Sequence, residues 1–237
     1  MSRFRDRHVT PAPLVWSAWL IDLLLPQRCV ACGASADGLC PACRAALRTF
    51  RGPCCACCGA PTLWSVARCR ECTGRSLPFE TARSAVAYAG PARALVRAWK
   101  EGGLRRVSAL ASELVVEVVE RPDVDVVTPI PADRIRQLQR GRHPAELLAD
   151  ELARRWEVPA APLLVRRAPV ARQAGLGAAE RRRNVRGAFA AAAEPPSRVL
   201  IVDDVYTTGE TAAAAAGSLR SGGAEAVHVV TFARAVR

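Results

Sequence analysis

The chain has 237 residues, half of them hydrophobic, and a formal net charge of +12. That length fits one large domain or two small ones with a real core, and the charge suits anionic partners: phosphorylated metabolites, nucleic acid or an acidic membrane surface. No loop of the form G-x-x-x-x-G-K-[S/T] occurs, which leaves nucleoside triphosphate hydrolysis without support, and Lys100 is the only lysine, so the basicity is carried by arginine.

At the N terminus, Arg3, Arg5 and Arg7 precede an apolar stretch from Leu14 to Leu25. Ser17 and Asp22 interrupt it, it is too short to span a bilayer, and no small-residue cleavage site follows. Trp16, Trp19, Leu20, Leu23 and Leu24 fall at helical spacing. Residues 1–28 therefore read as an amphipathic helix packed on the protein itself, with peripheral membrane contact as its other use. No transmembrane span and a cytoplasmic location are the expectations.

Residues 29–77 hold all ten cysteines. They pair at metal-ligand spacing: Cys29/Cys32, Cys40/Cys43, Cys55/Cys58 and Cys69/Cys72. Each C-x-x-C turn aims two thiolates at a tetrahedral centre, so these eight residues supply ligands for one or two structural zinc ions with no position left for water. Cys54 and Cys57 form a competing pair offset by one; we favour Cys55/Cys58 because Gly59 then follows the knuckle as Gly33 follows Cys32. Sequential pairing and crossed pairing, Cys29/Cys32 with Cys55/Cys58, are both compatible with the spacing. Few large apolar residues accompany the cysteines, so metal would supply much of the folding free energy here.

Residues 78–237 read as α/β. Strands are expected at Ala82–Ala89, Val124–Ile130, Leu163–Val165, Gly187–Ala190, Val199–Val202 and Val227–Phe232. Helices are expected at Ala92–Lys100, Leu104–Glu120, Pro144–Trp156 and Thr211–Leu219. Alternation of this kind predicts a parallel sheet with helices on both faces and a ligand site beyond the C-terminal strand ends. That rule places the loop after Ile130 beside the loop after Val202. The first carries Arg134, Arg136, Arg140, Arg142 and His143, and arginine forks match phosphate.

The run Val199–Thr211 is the most informative segment. Four apolar residues lead into Asp203 and Asp204, then Thr207, Thr208, Gly209, Glu210 and Thr211, then an alanine-rich helix. Backbone amides at a helix N terminus favour phosphate, threonine hydroxyls add donors, and Gly209 admits close approach. The paired acids can accept from vicinal ribose hydroxyls or help to hold Mg²⁺. Thr207 and Glu210 also stand at capping-box spacing, which would explain both without a ligand.

These thirteen residues resemble the phosphoribosyl pyrophosphate (PRPP) motif of type I phosphoribosyltransferases. The resemblance implies that Asp203 and Asp204 contact the ribose 2′- and 3′-hydroxyls as the catalytic pair. It also implies that Thr207–Thr211 wrap the 5′-phosphate, and that Arg140 and Arg142, with Mg²⁺, face the pyrophosphate. Further marks extend the likeness over Leu14 to Thr231: the C-x-x-C series after an apolar helix, Pro129-Ile130-Pro131, Gln173, Glu180-Arg181 with Asn184, and Gly187-Ala188-Phe189. Together they resemble the ComF family, competence protein F or GntX-like proteins. That resemblance implies a type I phosphoribosyltransferase-like α/β domain preceded by a zinc-ribbon-like region, PRPP binding, and a link to uptake of transforming DNA. The family carries Arg-Gly-aromatic-Asn-Gln where this chain has Arg140-Gly141-Arg142-His143-Pro144. Two functions follow: transfer of phosphoribosyl to an unnamed acceptor with release of pyrophosphate, or a non-catalytic PRPP-sensing or single-stranded-DNA-binding module that works with DNA-uptake proteins.

Overall fold

The computed structural model describes residues 28–102, 105–132, 143–167 and 187–236. The expected N-terminal helix, the arginine loop with Arg140 and Arg142, and the stretch with Gln173, Glu180 and Asn184 lie outside the described residues.

Four strands, β1 (Thr81–Ala87), β2 (Val126–Pro129), β5 (Arg198–Tyr206) and β6 (Ala226–Arg234), form a fully parallel sheet in the order β1-β6-β5-β2. Val199, Leu200, Ile201 and Val202 are all completely buried, as a central parallel strand covered on both faces requires. Leu200 and Val202 pack with α2 (Gly90–Gly102), α3 (Arg105–Val118) and α4 (Pro144–Trp156), around Leu95, Trp99, Leu114 and Leu148. Val199 and Ile201 face α5 (Glu210–Ser221), whose Ala215, Ala216 and Leu219 lie against the sheet. Trp99 meets Phe232 edge-on at 6.4 Å between ring centres. Both rings are fully buried, so Trp99→Ala is expected to cost about 3–5 kcal/mol in denaturant unfolding, the range for emptying a large core site.

The last two strands depart from the expectation. β3 (Leu164–Arg166) and β4 (Phe189–Ala191) pair with each other, antiparallel, apart from the parallel sheet. This small ribbon lies over α5, where Ser218 Oγ donates to Phe189 O at 3.0 Å. Runs of three residues are too short for hydrophobic pattern to assign them to a sheet.

Residues 28–77 contain little regular structure beyond α1 (Pro41–Ala45). Their first half packs on α3 through Arg44, which donates to Glu113 at 2.7 Å and Glu117 at 2.6 Å. Their second half joins the edge of β1, where Ala82 N donates to Cys57 O at 2.7 Å. Gly59, at φ +68°, allows that approach, because a Cβ there would collide with Ala82 O.

Candidate functional site

Two sets of four cysteines close on themselves. Cys29, Cys32, Cys40 and Cys43 bring their Sγ atoms within 4.8 Å of one another, and so do Cys55, Cys58, Cys69 and Cys72. Pairing is thus sequential, and the crossed arrangement does not occur. The favoured register holds: Cys54 and Cys57 stand outside both sets, and Gly33 and Gly59 both follow their knuckles at positive φ. Sulfur separations of 3.7 Å (Cys32–Cys40), 3.6 Å (Cys58–Cys69) and 4.0 Å (Cys55–Cys72) are far too long for disulfides. They match the edge of roughly 3.8 Å of a tetrahedron with zinc–sulfur bonds near 2.3 Å. The donor sets therefore fit two structural zinc ions.

In the parallel sheet, β5 runs on through both acids instead of ending before them. Asp203 pairs with Thr231 and Tyr206 with Arg234 on β6. The sequence reading stopped the strand where the apolar run stopped; backbone pairing with β6 carries it four residues further. Asp203 Oδ1 accepts from Asp204 N at 2.8 Å. Asp204 is 5% exposed, and its Oδ2 lies 3.0 Å from Lys100 Nζ, off hydrogen-bonding geometry, so this buried oxygen has a counter-charge but no hydrogen bond among the described residues. Loss of solvation, then the charge of Asp204, push the Asp203 carboxyl up to about 7, against Lys100 and Arg166.

Beyond the acids the chain turns through exposed Thr207 and partly buried Thr208 into α5, whose N-cap is Gly209 at φ +76°. The capping box does not form. Gly209 makes no side-chain cap, and Glu210 sends its carboxylate to Arg75, 2.9 Å away. Thr208 Oγ1 accepts weakly from Glu210 N at 3.4 Å. The first helical bond shown at this end runs from Ala213 N to Gly209 O, so the amides of Thr211 and Ala212 precede it and face the loop. A Cβ at position 209 would collide with Tyr206 Oη. Gly209→Ala is therefore expected to lose about 1–2 kcal/mol of stability in thermal unfolding and to displace the loop.

The structure thus brings Asp203, Asp204, Thr207, Thr208, Gly209, Glu210 and Thr211 together, and Ile130 N donates to Val202 O at 2.9 Å, which sets the end of β2 beside them. His143, read beside the arginine loop, caps α4: its Nδ1 accepts from Ala145 N at 3.4 Å. Three cations at the site escaped the sequence reading: Lys100 at the end of α2, Arg75 just after the second cysteine set, and Arg166 on β3, which stands over Phe189 at 5.0 Å and whose charge acts on Asp203. The one available signal was that Lys100 is the sole lysine, standing at the end of a predicted helix.

A parallel sheet whose acid-tipped strand turns into a helix N terminus, preceded by two four-cysteine centres, defines a zinc-ribbon protein with a phosphoribosyltransferase-like domain. The chain belongs to the family of competence protein F and the DNA utilization protein YhgH. It is 29% identical over 224 residues to competence protein F of Haemophilus influenzae, covering 88% of this chain and 97% of that one. It is 31% identical over 209 residues to YhgH of Escherichia coli K12, covering 83% and 90%. Residues 20–73 match the double zinc ribbon domain family. Among solved structures, similarity extends to a glutamine PRPP amidotransferase from B. subtilis at 26% identity and TM-score 0.38, over 52% of this chain and 25% of that one. Among the described residues, no helix is long and apolar enough to cross a membrane.

Proposed function

We propose that the cleft at the end of β5 binds PRPP as its Mg²⁺ complex. The supporting observation is that Asp203 and Asp204 stand one turn before an α5 N terminus whose N-cap residue is a glycine and whose one side-chain cap is the weak Thr208 contact, so capping does not account for the two acids. In this reading the acids accept from the ribose hydroxyls, and Thr207 to Thr211 donate to the 5′-phosphate through amides and hydroxyls. Arg140 and Arg142, outside the described residues, supply the charge that this reading needs against the pyrophosphate. In turnover, the bond from the anomeric carbon to pyrophosphate breaks, pyrophosphate leaves with the electron pair, and a nucleophile supplied by the acceptor forms the new bond. Asp204 offsets the positive charge that develops on that carbon. The zinc centres take no part in the chemistry, because four thiolates leave no open position. Thiolate-bound zinc suits a reducing compartment, and we place the protein in the cytoplasm.

Calorimetric titration of Mg²⁺-PRPP into the native chain and into Asp203→Asn/Asp204→Asn tests this. Binding heat is expected only from the native chain, since the double variant loses two charge-assisted contacts and more than about a hundredfold in affinity. Equal heats from both would refute the ribose contact, and pyrophosphate release across a panel of acceptors separates turnover from sensing.

A second reading rests on a separate observation: Leu63 and Trp64, on the loop between Cys58 and Cys69, are 89% and 68% exposed, with Arg68 and Arg70 exposed nearby in sequence. An unburied tryptophan among arginines suits stacking on single-stranded DNA. It agrees with the names of the relatives, which connect them with competence and DNA utilization, and would make DNA-uptake proteins the partners. Binding of a single-stranded oligonucleotide that falls steeply with salt and is lost in Trp64→Ala is the expected result; affinity indifferent to both changes would dismiss it.

A further inference from the structure

The two cysteine centres differ in what they touch. The first packs on α3 through Arg44, and its Cys29 and Cys40 lie in the apolar cluster on the side of the sheet that α2, α3 and α4 cover. The second is joined to that loop by two separate struts. Arg234, at the end of β6, is 1% exposed. Its guanidinium donates to Cys58 O at 2.7 Å and to Glu71 Oε2 at 2.8 Å, and its Nη2 lies 3.5 Å from Cys58 Sγ. The same guanidinium lies over the ring of Tyr206, 4.5 Å from its centre. Tyr206 is 4% exposed, and its hydroxyl fills the space where any side chain on Gly209 would go. One line of contact therefore runs from a zinc-ligand knuckle through Arg234 and Tyr206 to the backbone of Gly209.

The other strut is shorter. Arg75 N donates to Cys72 O at 3.2 Å, and the Arg75 side chain donates to Thr208 O and Glu210 Oε1, both at 2.9 Å. Arg68 clamps this arm by donating to Cys72 O and Arg75 O at 3.0 and 2.6 Å. Between the arm and α5 lies a cleft of about 650 Å³ lined by Pro78, Ala213 and Gly217, so Arg75 bridges open space and is not part of continuous packing.

We infer that the second cysteine centre sets the conformation of the Thr207–Thr211 loop, with Arg234, Tyr206 and Arg75 as positioning residues for the ligand it holds; the ligand part of this rests on the PRPP reading above. The Cys55–Cys58 knuckle owes its shape to the metal. Without it, the carbonyl and sulfur of Cys58 move away from Arg234, and a buried guanidinium left with Glu71 alone of its three acceptors is costly enough to force its own rearrangement. Tyr206 then loses the cation that fixes its ring, and Gly209 loses the hydroxyl on which it rests. Among the described residues, no hydrogen bond from Cys29, Cys32, Cys40 or Cys43 reaches the Tyr206–Thr211 segment.

The experiment compares zinc-loaded native protein with Cys32→Ser and Cys69→Ser, which open the first and second centres respectively. Amide hydrogen exchange is read by mass spectrometry in the peptide covering Tyr206–Thr211 and in a control peptide covering Val126–Pro129. Exchange in the loop is expected to rise roughly tenfold or more in Cys69→Ser and to stay within about twofold of native in Cys32→Ser. Mg²⁺-PRPP affinity is expected to fall in the same pattern. Equal acceleration in both variants, or none in either, overturns the inference. If the control peptide shows that Cys69→Ser has unfolded, Arg75→Ala decides: at two zinc per chain, faster loop exchange upholds the coupling and unchanged exchange overturns it. Failure of the native chain to bind PRPP would remove the reading of the ligand, while the exchange comparison still decides the coupling.

Discussion

Treatment with a strong chelator is expected to release two zinc ions per chain, melt residues 28–77 and lower the thermal midpoint by more than about 10 °C. The reason lies in what fills this region. Among its buried apolar residues only Leu39 and Ala60 are not cysteines, so the region has almost no apolar core besides its cysteines. Zinc binding to four thiolates supplies about 10–16 kcal/mol in small domains of this kind, more than a region this size can draw from apolar burial. The loss spreads, because Cys55, Cys58 and Cys72 also belong to the apolar cluster under α5, and the edge of β1 donates hydrogen bonds to Cys57 O and Arg48 O. Far-ultraviolet circular dichroism should change little, since α1 is only five residues long. The midpoint and the exchange of residues 28–77 should change greatly. A chelated protein that retained its native midpoint with no zinc in solution would dispose of the structural-metal assignment.

What could be read from sequence, and what could not, divides by range. The cysteine sets were legible because C-x-x-C geometry is local, and a glycine after the knuckle marked the register that the structure adopts. The central strand and the helix after it were legible because full burial leaves an uninterrupted apolar run. The end of β5 was not, because after Val202 the strand is held by pairing with β6, a partner whose pattern says nothing about Asp203 or Tyr206. Glu210 shows the same limit: capping-box spacing is a local signal, and it lost to an ion pair with Arg75, 135 residues away. Lys100 and Asp204, on α2 and β5, meet only once the sheet is assembled. Local motifs identified the centres, but the cations described near the acids, Lys100 and Arg166, arrive from α2 and β3.

Those acids carry a cost that can be measured. Asp203→Asn is expected to raise stability by roughly 2 kcal/mol at pH 8, to change it little near pH 4, and to abolish detectable PRPP binding. The sign follows from the direction of the shift. Asp203 has its carboxyl pushed up to about 7 in the folded protein from an ordinary value of 3.8. Below that ordinary value both folded and unfolded chains hold the proton, and the group costs nothing. As pH rises from about 4 towards 7 the unfolded chain ionises freely while the fold resists, so stability is lost progressively; above 7 the loss levels off. The full shift would amount to about 4 kcal/mol, and the partial exposure of Asp203 lets solvent screen it to roughly half of that. Asparagine keeps the carbonyl oxygen that accepts from Asp204 N and removes the charge that repels Asp204. Lys100 then faces a single carboxylate. A purely structural acid would behave oppositely, its removal destabilising the fold most at high pH. A carboxylate kept where it weakens the protein at neutral pH is the mark of a group retained for a ligand, and unfolding curves at pH 4 and 8 for the two proteins would tell the cases apart.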